Sequence, residues 1–396
     1  MSQGDRWMLP DGVEELLPPR AAAMERLRRE LLDLFAVWGY DMVTPPLIEY
    51  LDSLLTGTGN DLDLQTFKLT DQLSGRLMGV RADMTPQVAR IDAHRMSGEG
   101  VRRLCYVGTV VHTRPGSFSG SRCPHQAGAE LFGYPGLDAD LEIIGLMLAT
   151  LETAGVNGLH LDLGHVNIYR QLIAAADLAP ETEARLFDIM QRKAVPELEQ
   201  FLAEGAVAEA LAPALWALPD LSGGREVLER ARSALAPGGE DVMAALDELE
   251  RACVWLEGQY PQLPLHLDLA ELRGFRYHTG LVFTAFQPGH GEPLARGGRY
   301  DHIGEVFGRR RPATGFSTDL QNLLLLASRA GESPVKAVFA PAENDPELLR
   351  VIAELRSRGE RVLCQLPGED AEVLLAACDR RLVREGDKWQ VGPVNQ

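Results

Sequence analysis

The chain has 396 residues, 45% hydrophobic, 24% charged and 6% aromatic, enough apolar material for a large core and two or three domains. Its 57 acidic residues outweigh 39 Lys+Arg, and the resulting formal charge of −18 disfavours an extended groove for a nucleic-acid backbone. Five widely separated cysteines argue against a disulfide or zinc framework, and neither a signal-peptide pattern nor a bilayer-length apolar run is present, so a reduced, cytoplasmic protein is expected.

In chain order, "PPRAAAMERLRRELLDLFAVWGY" predicts a helix. Pro19 suits its start, Leu27, Leu31, Leu34, Phe35 and Trp38 form one apolar stripe, and Gly39 suits its end. In "YDMVTPPLIEY" the Pro45-Pro46 pair marks an edge or a strand end, because proline cannot donate to a ladder. "TFKLTDQLSGRLMGVRAD" predicts two strands around Ser74-Gly75, and "RLCYVGTVVHT" and "HQAGAELFGY" predict two more. Between the second pair lies a positive, Gly/Ser-rich loop, His112 to Arg122, of the kind that wraps a phosphorylated ligand. "DADLEIIGLMLATLETAG" predicts a helix capped by Asp138 or Asp140 and ended by Gly155.

From about residue 167 to 258 the chain is rich in Ala, Leu, Glu and Arg with helical periodicity, which predicts an inserted helical subdomain. Strands resume in "LPLHLDLAEL" and "FRYHTGLVFTAF", and a last core helix is expected from Thr318 through Leu326. Residues 332–396 begin with a β-α-β pattern, short for an independent domain.

The candidate chemistry sits on a few segments. Alternation along Gln126–Tyr134 puts Gln126, Gly128 and Glu130 on one face. The glycine leaves a hole above the sheet floored by an amide and a carboxylate, although a solvent-facing strand fits the same pattern. Asp83 and Thr85 share a side in "GVRADMTPQVAR", and both also suit the start of a following helix. "LRGFRYHTG" supplies Arg273, Arg276, Tyr277 and His278 at a turn, and "ARGGRYD" supplies Arg296, Arg299 and Tyr300 beside paired glycines. Carboxylates suit an ammonium, arginine suits a carboxylate, and the aromatics with Gln and Glu suit a polar side chain, which together describe an amino-acid pocket. Spacing alone does not bring these segments together. "CPH" at Cys123–His125 is a poor metal site, and "GTGND" at Gly57 lacks the strand–helix context of a phosphate loop. "GRRRP" at Gly308 fits a solvated turn, or else a contact with an anion or partner.

The order of "PP" at Pro45-Pro46, "HQAGAELFG", "LRGFRYHTG", "ARGGRYD" and "ATGFSTDLQNLL" resembles the catalytic domain of histidyl-tRNA synthetases over most of residues 1–329. The resemblance implies an α+β fold, a class II aminoacyl-tRNA synthetase-like antiparallel sheet flanked by helices, with the helical insertion and a short C-terminal α/β segment. It implies that Asp83 and Thr85 contact a ligand's amino group and that Gln126 and Glu130 line the pocket. Arg273 would lie near the carboxylate, with Tyr277, His278 and Tyr300 near an imidazole, and Gly57–Asp63 would form a mobile loop at the pocket mouth. Where such synthetases grip ATP with two arginines and a glutamate, alignment puts His112, Arg114 and Gln321-Asn322. None of these reproduces the bidentate arginines or the adenine-reading acid.

With its short tail, the chain is therefore most similar to the ATP phosphoribosyltransferase regulatory subunits, a synthetase-like family of histidine biosynthesis. That likeness implies a non-catalytic protein without cofactor or metal that binds histidine and partners a short-form catalytic ATP phosphoribosyltransferase. Hetero-octamers built on self-dimers of the regulatory chain are the family's assembly, with no nucleic acid and no membrane involved. A divergent histidyl-tRNA synthetase is the alternative, and a structural activator with a vestigial pocket is a third reading.

Overall fold

The computed structural model describes residues 7–56, 60–96, 98–115, 120–275, 277–327 and 336–394. Its first helix, Arg20–Val37, buries Met24, Leu27, Leu31 and Phe35, which recur at three- and four-residue spacing. Gly39 beyond it takes φ +82°, a conformation that ends the helix without steric cost.

Among the described residues, twelve strands follow in the larger part of the chain. They are β1 (Asp41–Met42), β2 (Ile48–Tyr50), β3 (Phe67–Thr70), β4 (Leu77–Val80), β5 (Arg102–Thr109) and β6 (His125–Phe132). After these come β7 (His160–His165), β8 (Ser222–Gly223), β9 (Leu265–Asp268), β10 (Leu281–Phe286), β11 (Ala295–Arg299) and β12 (Ala313–Asp319). Nine form one sheet in the order β1-β5-β6-β12-β11-β10-β7-β9-β8, and β2-β4-β3 form a separate small sheet. The large sheet is antiparallel except where β1 meets β5 and β7 meets β9. Pro45-Pro46 lies between β1 and β2, where the chain leaves the edge of one sheet and enters the other.

Alternation divides the large sheet into two faces. Cys105 and Val107 on β5, and Ala127, Ala129 and Leu131 on β6, join a large apolar cluster with Arg20–Val37 and the helix Leu137–Thr153. Leu104 and Tyr106 on β5, and Phe132 on β6, join a smaller cluster with Met84, Val88 and Tyr300 on the opposite face. The candidate residues belong to that second face.

Several expectations are corrected here. The helix expected from Thr318 begins at Leu320 instead: Thr318 and Asp319 end a central strand, Ala313–Asp319, and Asp319 accepts from the Gln321 amide (3.1 Å) to cap the helix Leu320–Leu326. Neither Asp138 nor Asp140 caps the helix Leu137–Thr153, whose N-cap is Gly136. Asp140 instead lies buried in the first turn and pairs with Arg299 (2.7 Å). The helical stretch Val166–Gln259 is interrupted by β8, and its buried residues, Leu186, Phe201 and Leu249 among them, are continuous with the main cluster. In "GRRRP", Arg311 is buried against Asp92 (3.1 Å) and Arg309 donates to the Met96 carbonyl (3.3 Å), so these two arginines brace the protein's own chain.

The chain divides into two compact units, residues 1–330 and 331–396. The second has its own four-stranded sheet of β13 (Ala337–Ala340), β14 (Val362–Cys364), β15 (Cys378–Glu385) and β16 (Lys388–Pro393), in the order β14-β13-β15-β16. The helix Pro346–Ser357, capped by Asp345, joins the parallel strands β13 and β14. The hairpin β15–β16 extends the expected β-α-β pattern and brings Trp389 over a core of Val338, Leu348, Ile352 and Leu382.

Candidate functional site

The floor of the site is Glu130 on β6, 0% exposed, which rules out a solvent-facing strand. Tyr106 donates to its Oε1 (2.9 Å), and the Tyr300 hydroxyl donates to its Oε2. The hole expected above Gly128 is occupied: Tyr106 stands opposite it in register, and a Cβ there would lie 2.5 Å from the tyrosine hydroxyl. On the other neighbour, a Cβ at Gly315 would overlap Glu130 Oε2. Two glycines thus make room for a carboxyl and its tyrosine rather than for a ligand.

Burial raises the Glu130 carboxyl to about 8, against the lowering effect of hydrogen bonds from Tyr300, Tyr106 and Thr85. The group is therefore largely protonated at neutral pH and able to share a proton with a basic ligand.

A polar chain runs from this floor to the rim. The Thr85 hydroxyl lies 2.9 Å from that of Tyr106. Asp83 Oδ1 accepts from the Thr85 amide (3.0 Å) and from Gln126 Nε2 (2.8 Å), while Gln126 Oε1 accepts from the Met84 amide (2.9 Å). Asp83 therefore does organise the start of the helix Thr85–Arg90, and it also faces the cavity.

The cavity is about 220 Å³ and is lined by Asp83, Thr85, Glu130, Arg273, Tyr277, His278 and Tyr300. Seven of the eight expected residues thus meet at one cavity. The eighth, Gln126, lies in the adjoining space and reaches the first through Asp83. Tyr277 stacks on Tyr300 at 4.8 Å, yet its buried hydroxyl has no hydrogen-bond partner in acceptable geometry among the described residues. Burial lowers the His278 imidazole to about 4, so the ring is neutral at pH 7; its Nδ1–H donates to the Arg299 carbonyl at 3.3 Å. Gly298 lets that ring lie against β11, since a Cβ there would be 2.9 Å from Nδ1.

Strand geometry separates the arginines. Ala295 belongs to the large cluster and Tyr300 to the smaller one, so Arg299 points away from the cavity while Arg296 shares the Tyr300 face. Arg299 is consumed by Asp140, Asp301 (3.3 Å) and the carbonyls of Tyr134 and Gly136. Arg273 is 68% exposed and lies 3.6 Å from Glu271. Arg276 and residues 57–59 of the expected mouth loop lie outside the described residues.

A second cavity of about 590 Å³ adjoins the first and shares Asp83, Pro293, Arg296 and Ser317 with it. It contains His112, Arg114 and Asn322, the positions aligned with the nucleotide-gripping residues of synthetases. The His112 ring donates from Nε2 to the Ala82 carbonyl (2.9 Å), so that nitrogen serves the backbone. Arg122 donates to the carbonyls of His112 (3.1 Å) and Asp11 (3.3 Å), fastening the loop to the N-terminal segment. Residues 116–119 of the loop lie outside the described residues.

Sequence reasoning missed Tyr106, Glu271, Arg296 as a cavity residue and Gly315. The available signal for Tyr106 was its placement opposite Gly128; Gly315 stands in β12, a strand not expected from the sequence.

Residues 12–323 match the histidyl-tRNA synthetase family, and residues 335–392 match the ATP phosphoribosyltransferase subunit HisZ C-terminal domain. The ATP phosphoribosyltransferase regulatory subunit of Thioalkalivibrio sulfidiphilus is 57% identical over 392 residues, covering 99% of both chains. A crystal structure from Bacillus halodurans, described as an ATP phosphoribosyltransferase regulatory subunit/histidyl-tRNA synthetase, superimposes with a TM-score of 0.82 at 26% identity, covering 95% of this chain and 97% of that one. A chain of the HisG:HisZ ATP phosphoribosyl transferase complex from Thermotoga maritima shares the fold, with a TM-score of 0.58 at 18% identity over 77% of this chain and 98% of that one.

Proposed function

The chain belongs to the ATP phosphoribosyltransferase regulatory subunits, and on that premise we propose that it binds histidine and uses its occupancy to control a catalytic partner. As a regulatory subunit it serves ATP phosphoribosyltransferase at the first step of histidine biosynthesis. The observation that carries the histidine reading is Glu130, a carboxyl sealed beneath an amino-acid-sized cavity and held by two tyrosines. A buried acid with a raised pKa suits the imidazole of histidine, because the pair can share one proton in a dry site.

In this reading Asp83 and Thr85 receive the ammonium, with Gln126 holding Asp83 in place. Tyr277, His278 and Tyr300 enclose the imidazole beside Glu130, and Arg273 lies toward the carboxylate. The neighbouring cavity, with His112, Arg114 and Asn322 at its wall, no longer grips ATP for adenylation, since a neutral amide and a backbone-bound imidazole do not replace arginines on a phosphate. The chain is accordingly non-catalytic. Its partner is a short-form catalytic ATP phosphoribosyltransferase, assembled as a hetero-octamer from self-dimers of this chain, in the cytoplasm. Sensing requires such a partner, because a ligand controls an activity only through coupling free energy between two sites.

Co-purification with a short catalytic subunit, followed by phosphoribosyl transfer assays with and without this chain, tests the assignment. Activity is expected to depend on this chain and to fall when histidine is added. No gain on addition of the chain sinks the proposal. Calorimetry should show histidine binding, and Glu130→Gln should weaken it about 10- to 100-fold through loss of a charge-assisted hydrogen bond.

The match of residues 12–323 favours one second reading, a divergent histidyl-tRNA synthetase. That reading requires histidine-dependent ATP–pyrophosphate exchange by the purified chain, which the regulatory reading excludes.

A further inference from the structure

We propose that Arg296 anchors the carboxylate of the amino acid held over Glu130, and so makes the pocket selective for an intact α-amino acid. The inference rests on the histidine reading of the cavity and revises the role expected of Arg273.

Arg296 and Asp83 both line the two adjoining cavities, so opposite charges stand where the spaces meet. Asp83 uses Oδ1 for the Thr85 amide and Gln126, and its Oδ2 makes no hydrogen bond to a described residue. A zwitterion fits this junction: the ammonium at Asp83, the carboxylate at Arg296 and the side chain inward to Glu130 and Tyr300. Strand alternation supports the placement, because Arg296 and Tyr300 share one face of β11 and its extension.

The other described arginines nearby are engaged or, in the case of Arg114, line the second cavity alone. Arg299 is paired with Asp140 on the opposite face, Arg81 donates to the carbonyls of Thr109 (2.8 Å) and Pro45 (2.7 Å), and Arg273 has Glu271 at 3.6 Å. Arg296 forms no hydrogen bond or ion pair with any described residue, yet it is accessible from the cavities it lines. Surrounding protein, and then the neighbouring charge of Arg273, disfavour its charged form, while Glu292, Asp83 and Glu271 partly offset them. An incoming carboxylate would relieve both effects, and a guanidinium grips it with two parallel hydrogen bonds. Arg273 already lies beside an acid and lines the first cavity but not the second, so it has less to gain.

Calorimetry on the full chain with histidine and with histidinol, which carries an alcohol in place of the carboxylate, tests this. The wild-type chain should prefer histidine by at least about tenfold. Arg296→Gln should weaken histidine about 10- to 100-fold and change histidinol less than about threefold. Arg296→Lys should recover part of the loss, and Arg273→Gln should keep most of the preference. Urea midpoints of each variant establish that it is folded. Equal weakening of both ligands in Arg296→Gln, or loss of the preference in Arg273→Gln alone, overturns the assignment. Absence of histidine binding by the wild-type chain, alone and in complex with the catalytic subunit, removes the histidine reading itself, a result distinct from either of those.

Discussion

At Glu130 the structure makes a carboxyl into a pH-sensitive part of the fold. In the folded chain it holds its proton to about pH 8, whereas its ordinary value is 4.5. Between those values the folded state binds more protons than the unfolded one, so this group's stabilising effect is complete below about pH 4.5 and is lost as pH approaches 8. His278 acts with the opposite sign: its imidazole falls from 6.5 to about 4, so its effect grows with pH and is finished by about 6.5. The Glu130 effect is therefore best separated from that of His278 between pH 6.5 and 8. Urea titrations across that window should show a falling midpoint that Glu130→Gln flattens; an undiminished slope in the variant would assign the dependence to another group. The identity of Glu130 as a candidate was visible from alternation, but its burial was not. Burial depends on Tyr106 and Tyr300 closing over it, and these come from positions 24 and 170 residues away in sequence.

At the scale of elements, β11 shows how one strand serves two faces. Its Arg296 side opens on the cavities, while its Arg299 side reaches the first turn of the helix Leu137–Thr153 and holds Asp140 there. Asp140 is buried, so removing its counter-ion leaves a charge without compensation. Arg299→Ala is expected to destabilise the chain by about 3–5 kcal/mol in urea unfolding, the cost of breaking a buried pair from one side. A change below about 1 kcal/mol would show that Asp140 is neutralised or hydrated instead. The motif "ARGGRYD" suggested this region without distinguishing its two arginines. Only the assignment of Arg296 to Tyr300's face and of Arg299 to the helix side separates them. The strand β12 was missed because "ATGFSTD" is short on large apolar residues and runs directly into the leucine-rich helix Leu320–Leu326. Its glycine is required by contact with Glu130, a long-range constraint that no local propensity expresses.

For the whole molecule, each of the two units has its own buried clusters, and every candidate residue and its hydrogen-bond partner lies in the first. A chain ending at residue 330 is therefore expected to unfold cooperatively and to bind histidine within about threefold of the full chain, as read by calorimetry. A loss of binding much larger than that would mean that the second unit supports the pocket. The described residues contain no helix long and apolar enough to cross a membrane.

By itself the sequence determined the strands β3 to β6, β9 and β10, the first helix and the family, because periodicity, glycine placement and motif order are local or ordered properties of the chain. Glu130, the loop from His112 and the arginine motifs were therefore legible as candidates. The tertiary structure alone decided which of them meet. It filled the space over Gly128 with Tyr106, turned Arg299 to the helix side and left Arg296 facing both cavities. Those outcomes follow from sheet register and packing between distant segments, and neither is encoded within any one stretch of residues.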